Sequence, residues 1–186
     1  MKKRFFSLQK ALALSVLLLF TAVMTGCKPQ TEIQEVYYYV TPLENGDPLI
    51  GDWYNISESY SERYTITGNS FDNQWGYGNP VVWNNSYAGN NLYVLKLSET
   101  SGTIFFKFTR AATPSYSYST DPSEAPDVGN WYAISYKDLN SSKKTINLSG
   151  AYKAGGKTSC QTLQEAVNEF TIAHGYFASY SALTSN

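Results

Sequence analysis

The sequence predicts a mainly β domain: a small antiparallel up-and-down β-barrel with one C-terminal helix, the alternative being a β-sandwich. Three observations predict it. From Ile50 onward apolar residues recur at a period of two. Turn signals interrupt them every ten or so residues. Only one late stretch has helical spacing. About eight strands between residues 49 and 186 are the number that closes a small barrel.

The elements follow in order. Val36-Tyr37-Tyr38-Tyr39-Val40 has strand propensity and is placed to dock on the domain or pair with a sheet edge. Trp53-Tyr54-Asn55-Ile56 opens the regular alternation. Arg63 to Thr67 puts Tyr64 and Ile66 on one face and stops at Gly68-Asn69. Leu92 to Leu97 and Thr103 to Phe108 form the clearest hairpin, with Tyr93, Leu95 and Leu97 sharing one face and Ile104, Phe106 and Phe108 another. Asn130–Tyr136 and Thr145–Ser149 form a second hairpin. Thr162-Leu163-Gln164-Glu165 fits a capping box, and Leu163, Ala166, Val167 and Phe170 then recur at helical spacing. His174-Gly175 fits the stop of that helix, glycine supplying a left-handed residue. Tyr176 to Tyr180 reads as the last strand, followed by a short polar tail. Gly51-Asp52-Trp53-Tyr54-Asn55-Ile56-Ser57 returns as Gly129-Asn130-Trp131-Tyr132-Ala133-Ile134-Ser135, with five identities in seven. The match fades beyond the strand, which favours convergence over duplication.

The N-terminus has a different composition. Met1-Lys2-Lys3-Arg4 is basic, and Ala11 to Phe20 is apolar except for Ser15. Thr25 and Gly26 then lead into Cys27, the layout of an export signal over residues 1–26. The apolar run falls short of the ~20 residues a spanning helix needs. Residues 27–48 read as a tether, with Lys28-Pro29-Gln30-Thr31-Glu32 polar and Glu44-Asn45-Gly46-Asp47-Pro48 a turn cluster. Extended, such a tether reaches at most about 65 Å. The barrel domain is then expected over residues 49–186.

Charge follows the same division. The chain of 186 residues holds 14 Lys+Arg against 15 Asp+Glu. Four of the basic residues, Lys2, Lys3, Arg4 and Lys10, lie in the leader, which has no acid. The remainder carries 10 basic against 15 acidic residues, a formal charge of −5. That balance excludes a nucleic-acid partner, which needs a basic stripe. Two cysteines and one histidine exclude a Cys/His metal cluster, and no cofactor motif is present.

Val23-Met24-Thr25-Gly26-Cys27 resembles the lipobox of bacterial lipoprotein precursors, with Met24 where leucine is usual. The resemblance implies that Cys27 becomes the mature N-terminus and carries a thioether-linked diacylglycerol. At about 0.8 kcal/mol per buried methylene, two or three chains anchor stably. It further implies export and anchoring to an envelope membrane, the outer membrane or surface more than the inner one. Gly51-Asp52-Trp53, with the late helix, is similar to the start and end of lipocalin and calycin barrels. The stretch from Asn130 to Tyr180 resembles uncharacterised lipoproteins of spirochaete type, which implies no activity.

With Cys27 alkylated, Cys160 is left without a disulfide partner and reads as a small buried residue. His174 reads as a helix cap. The acids Glu58 and Glu62, and Asp121, Glu124 and Asp127, read as solvated loop charge, so a hydrolase is a remote alternative. Asn73 to Asn91 is different. It is uncharged and mixes Trp75, Tyr77, Trp83 and Tyr87 with six asparagines and three glycines. Rigid aromatics beside adaptable amides are the composition of a recognition loop. Tyr116 and Tyr118 repeat it in the Ser/Pro-rich loop Ala111–Val128. The expected function is a non-enzymatic binding module for a glycan, a host protein or a small apolar ligand. The alternative is a structural or assembly lipoprotein of the envelope.

Overall fold

The computed structural model describes residues 39–185. The leader, Cys27 and the first part of the tether lie outside the described residues. Among the described residues, ten strands and one helix are formed: β1 (Val40–Pro42), β2 (Gly51–Asn55), β3 (Ser61–Ile66), β4 (Ser70–Tyr77), β5 (Val82–Lys96), β6 (Gly102–Ala112), β7 (Tyr118–Ser119), β8 (Trp131–Asn140), β9 (Thr145–Gly150), α1 (Leu163–Glu169) and β10 (Ser181–Thr184). Eight of the strands close an antiparallel barrel in the order β2-β3-β4-β5-β6-β8-β9-β10 and back to β2. β1 and β7 are short additions, paired with β5 and β6. Closure rests on β10, which pairs with β9 over four positions and meets β2 at Thr184 opposite Tyr54. That closure excludes the sandwich.

Alternation explains the interior. Tyr64 and Ile66, and Ile104, Phe106 and Phe108, point inward as the sequence predicts. They join Trp53, Phe71, Val94, Ile134, Leu148 and Leu183 in one contiguous core to which all eight barrel strands contribute. Phe105 faces the other way and packs with Trp131, Ala133, Val167, Phe170 and Phe177 under α1. With both faces covered, β6 reads as a nearly continuous apolar run. The bends that close the sheet are bulges. Asn91 and Asp138 sit at two of them in the left-handed conformation (φ 56° and 55°), which short polar side chains tolerate best.

The two copies of the seven-residue repeat are used in opposite senses. Trp53 points into the barrel, and its indole N–H donates to the Leu49 carbonyl at 2.9 Å. Trp131 points outward under the helix. A duplicated half-barrel would preserve the facing, so the repeat is a convergence.

The structure corrects four expectations. First, α1 keeps its capping box, with Thr162 and Glu165 reciprocally bonded, but ends at Glu169 instead of running to His174-Gly175. His174 still caps it, its ring Nδ1–H donating to the Glu169 carbonyl at 2.9 Å. Second, Tyr176–Tyr180 is no strand. Tyr176 and Phe177 are both buried under the helix, which strict alternation forbids, and the Tyr176 hydroxyl donates to Glu169 at 2.5 Å. The last strand is the expected polar tail, β10. Third, part of the expected tether is packed: β1 pairs with the edge of β5, as the strand propensity ending at Val40 leads one to expect, and Leu43 within the tether is a core residue. Fourth, Asn73–Asn91 is not a loop. It is the hairpin of β4 with the first half of β5.

Candidate functional site

The β4–β5 hairpin decides where the sequence-predicted aromatics go. Along β4, Phe71, Asn73, Trp75 and Tyr77 share the inner face, opposite Ile66, Tyr64 and Glu62 of β3. Trp75 and Tyr77 meet edge to face at 5.3 Å near the barrel mouth, and Tyr77 meets Tyr60 at 5.9 Å. Tyr77 is 52% exposed. Partial burial and the Glu62 carboxylate push the Tyr60 phenol up to about 12.

Tyr87 is deeper. Its ring stacks parallel to Phe71 at 5.9 Å, and Phe71 stacks on Phe106 at 4.6 Å. Phe108 and Tyr132, stacked at 4.7 Å, continue the pile. Gly150 leaves room for two phenols, because a Cβ there would meet the Tyr132 hydroxyl at 2.9 Å and that of Tyr87 at 3.7 Å. Tyr87 is therefore partly buried, its ring packed against the core. Tyr116 is fully exposed at the tip of its loop, with positive φ, and Tyr118 lies in β7 beside β6.

Trp83 is on the opposite face of the same hairpin. It points outward, with the Arg63 guanidinium 5.4 Å above its ring. Here the outer surface forms an open groove of about 810 Å³. Its lining includes Asp52 and Tyr54 of β2, Arg63 of β3, Trp83 of β5 and Lys144 from the β8–β9 turn. Asp52 accepts a hydrogen bond from Thr65 at 2.5 Å. Arg63 Nη2 donates to Gln74, whose amide in turn donates to Asn85 at 2.9 Å. This relay fixes the guanidinium over the indole.

Four of the six aromatics are thus split among three places: Trp75 and Tyr77 at the mouth, Tyr87 against the core, Trp83 in the groove. The loop tyrosines Tyr116 and Tyr118 stand apart. The groove residues Asp52, Tyr54 and Arg63 escaped the sequence reading. Alternation does put Arg63 opposite Tyr64 and so outward, but nothing local pairs it with Trp83.

The remaining candidates are tied into the fold. Burial pushes the Cys160 thiol up, the reverse of an activated thiolate. The Asp121 carboxyl is held below its usual range by the Ser123 N–H and hydroxyl, Glu124 accepts from Ser119, and Asp127 accepts from Ser159. Among the described residues, no group of three or more His, Cys, Asp or Glu side chains is placed to hold a metal ion.

The buried phenols make stability pH-dependent. Burial, with a smaller contribution from Asp47, pushes Tyr136 up to about 12, and burial raises Tyr64, Tyr87 and Tyr132 further. The folded state holds these protons more tightly than the unfolded chain, where a phenol titrates near 10. Stability is therefore constant with respect to these groups below about pH 10 and falls as pH rises through the window to 12. Tyr136 alone should account for about 2–3 kcal/mol. Denaturant melts across that window, with phenolate absorbance followed in parallel, check this. Tyrosines that all ionise near pH 10 without loss of fold would contradict it. No protein-family model, curated protein or solved structure matches the chain significantly.

Proposed function

We propose that the protein is an exported lipoprotein, anchored through lipid on Cys27, whose barrel is a non-enzymatic binding module. One observation carries the binding half of this reading. The interior is packed with aromatic rings, while the outer groove of about 810 Å³ combines Trp83 and Tyr54 with charged side chains. Concave sites of this volume with few, placed polar groups are typical ligand sites. The anchoring half rests on the basic leader, its apolar run and the lipobox-like Val23–Cys27. The packed interior also favours a second reading, a structural envelope lipoprotein that works through protein contacts.

Two experiments test the proposal. In a bacterial host, the wild type should carry an acyl mass on Cys27 and partition with membranes. Cys27→Ala should accumulate as unprocessed precursor. Normal cleavage without an acyl mass on the wild type overturns the anchor. For binding, Trp83→Ser should lose recovery of a ligand or partner from native envelope while melting close to wild type. Undiminished recovery places the contact elsewhere and favours the structural reading.

A further inference from the structure

We infer that the barrel rests on the bilayer through an apolar patch around Leu97 and Ile172, which insert at the lipid surface. This rests on the anchored-lipoprotein reading and adds how the domain sits once Cys27 is acylated. A groove of about 180 Å³ opens on the outer side of the barrel, between the end of β5 and the segment that follows α1. Leu95 and Leu97 line it from β5 and the turn after it, and Val167, Phe170, Ile172 and Ala173 from α1 and beyond. Among the described residues that line it, none is charged. Leu97 is 53% exposed and Ile172 61%, although both are aliphatic. A contiguous apolar patch of this kind marks a contact with a partner or a membrane.

The path of the chain selects the membrane. β1 runs antiparallel to β5 with Val40 opposite Leu95, so the chain enters the barrel domain at the edge of this groove. Cys27 lies twelve residues before Tyr39, a reach of at most about 43 Å. A leash that short keeps the domain at high effective concentration beside the lipid, where a contact too weak to hold a free protein is populated. Tyr39, exposed next to Val40, has the apolar body and polar tip that suit the headgroup level. A protein partner fits less well, because two half-exposed aliphatic side chains fall far short of the ~800 Å² per partner in a stable interface. An uncharged patch should also dock on neutral lipid and be indifferent to salt. The consequence is an orientation. Leu97 follows the end of β5, whereas Tyr77 pairs with Val82 where β5 begins. Docking therefore keeps the mouth aromatics Trp75 and Tyr77 off the bilayer.

The test is spin-label accessibility on the lipidated full-length protein in phosphatidylcholine vesicles. A nitroxide is placed at Ile172→Cys and, as a reference, at Tyr116→Cys on its exposed loop. Cys160 is buried and acylation occupies Cys27, so the label goes to the introduced thiol. Collision with oxygen, which concentrates in the bilayer, is measured against collision with a water-soluble nickel chelate. That ratio should be at least threefold higher at 172 than at 116, and unchanged as salt is raised. Leu97→Asp should bring the 172 label down to the value at 116, with a thermal melt near that of the wild type. If Leu97→Asp does not fold, Leu97→Ser should lower the ratio in the same direction. Equal ratios at the two positions, no effect of the Leu97 variant, or a ratio that falls with salt overturns the docking. A 172 label shielded from both reagents also overturns it, because protein then covers the patch: a second copy if two labels couple to each other, the same chain if they do not. An acyl mass on Cys27 with a water-exposed 172 label leaves the anchor standing and removes only the docking. No acyl mass removes the anchor and the docking with it.

Discussion

Replacing Phe106 with alanine is expected to lower the unfolding free energy by about 3–5 kcal/mol. The residue is fully buried at the centre of the ring pile. It stacks on Phe71 at 4.6 Å and meets Phe108 and Tyr132 edge-on, each at 5.7 Å. On its other side the ring lies over Gly89, where a Cβ would overlap it. Neighbours that close-packed collapse only partly into the space left, so the cost combines lost transfer energy with a cavity. Denaturant melts of the two proteins measure it directly. A loss below about 1 kcal/mol would mean that the inward face of β6 is not the core.

Tyr87→Ser is expected to cost about 2–3 kcal/mol, less than a fully buried ring because Tyr87 is partly exposed, whereas Tyr77→Ser should stay within about 1 kcal/mol. The two tyrosines belong to one hairpin and, by composition, to one recognition segment. Their surroundings differ. Tyr87 contacts Phe71, Phe106, Phe108 and Tyr132, and its phenol neighbours that of Tyr64. Serine there removes a ring from the middle of the pile and strands the Tyr64 hydroxyl. Tyr77 is half exposed, and among the described residues its ring meets those of Trp75 and Tyr60. Truncating it gives solvent to a surface that already has it. Comparable losses in both variants would mean that the mouth cluster is as much core as the stack, and would remove Tyr77 as a contact residue.

These two tyrosines mark where legibility in the sequence ends. By composition, the segment Asn73–Asn91, an uncharged mixture of rings, amides and glycines, reads as a loop. The glycines have a packing role instead. Gly89 admits the Phe106 ring, and Gly76 sits where a Cβ would meet Val81 and the Val82 carbonyl. Small residues that let a ring or a backbone approach closely look, in sequence, the same as residues chosen for flexibility. The bulge between Asp72 and Gln74 in the β4–β5 pairing then disturbs the period of two on β5. That disturbance hid the strand.

By itself the sequence determined the class of fold, the Leu92–Phe108 hairpin, the inward set Tyr64, Ile66, Ile104, Phe106 and Phe108, and the capping box at Thr162. Each depends on residues a few positions apart, whose relation is set by backbone period or by the first turn of a helix. Tertiary structure alone decided three things. Ser181–Thr184 has little strand propensity, yet it closes the barrel because β9 and β2 both present open edges to it. Tyr176 and Phe177 leave the strand pattern because the outer face of β6 and β8 needs covering. Arg63 and Trp83 meet because neighbouring strands bring distant positions together on one outer face. Partners of that kind come from closing a sheet, and no local pattern carries the register that decides them.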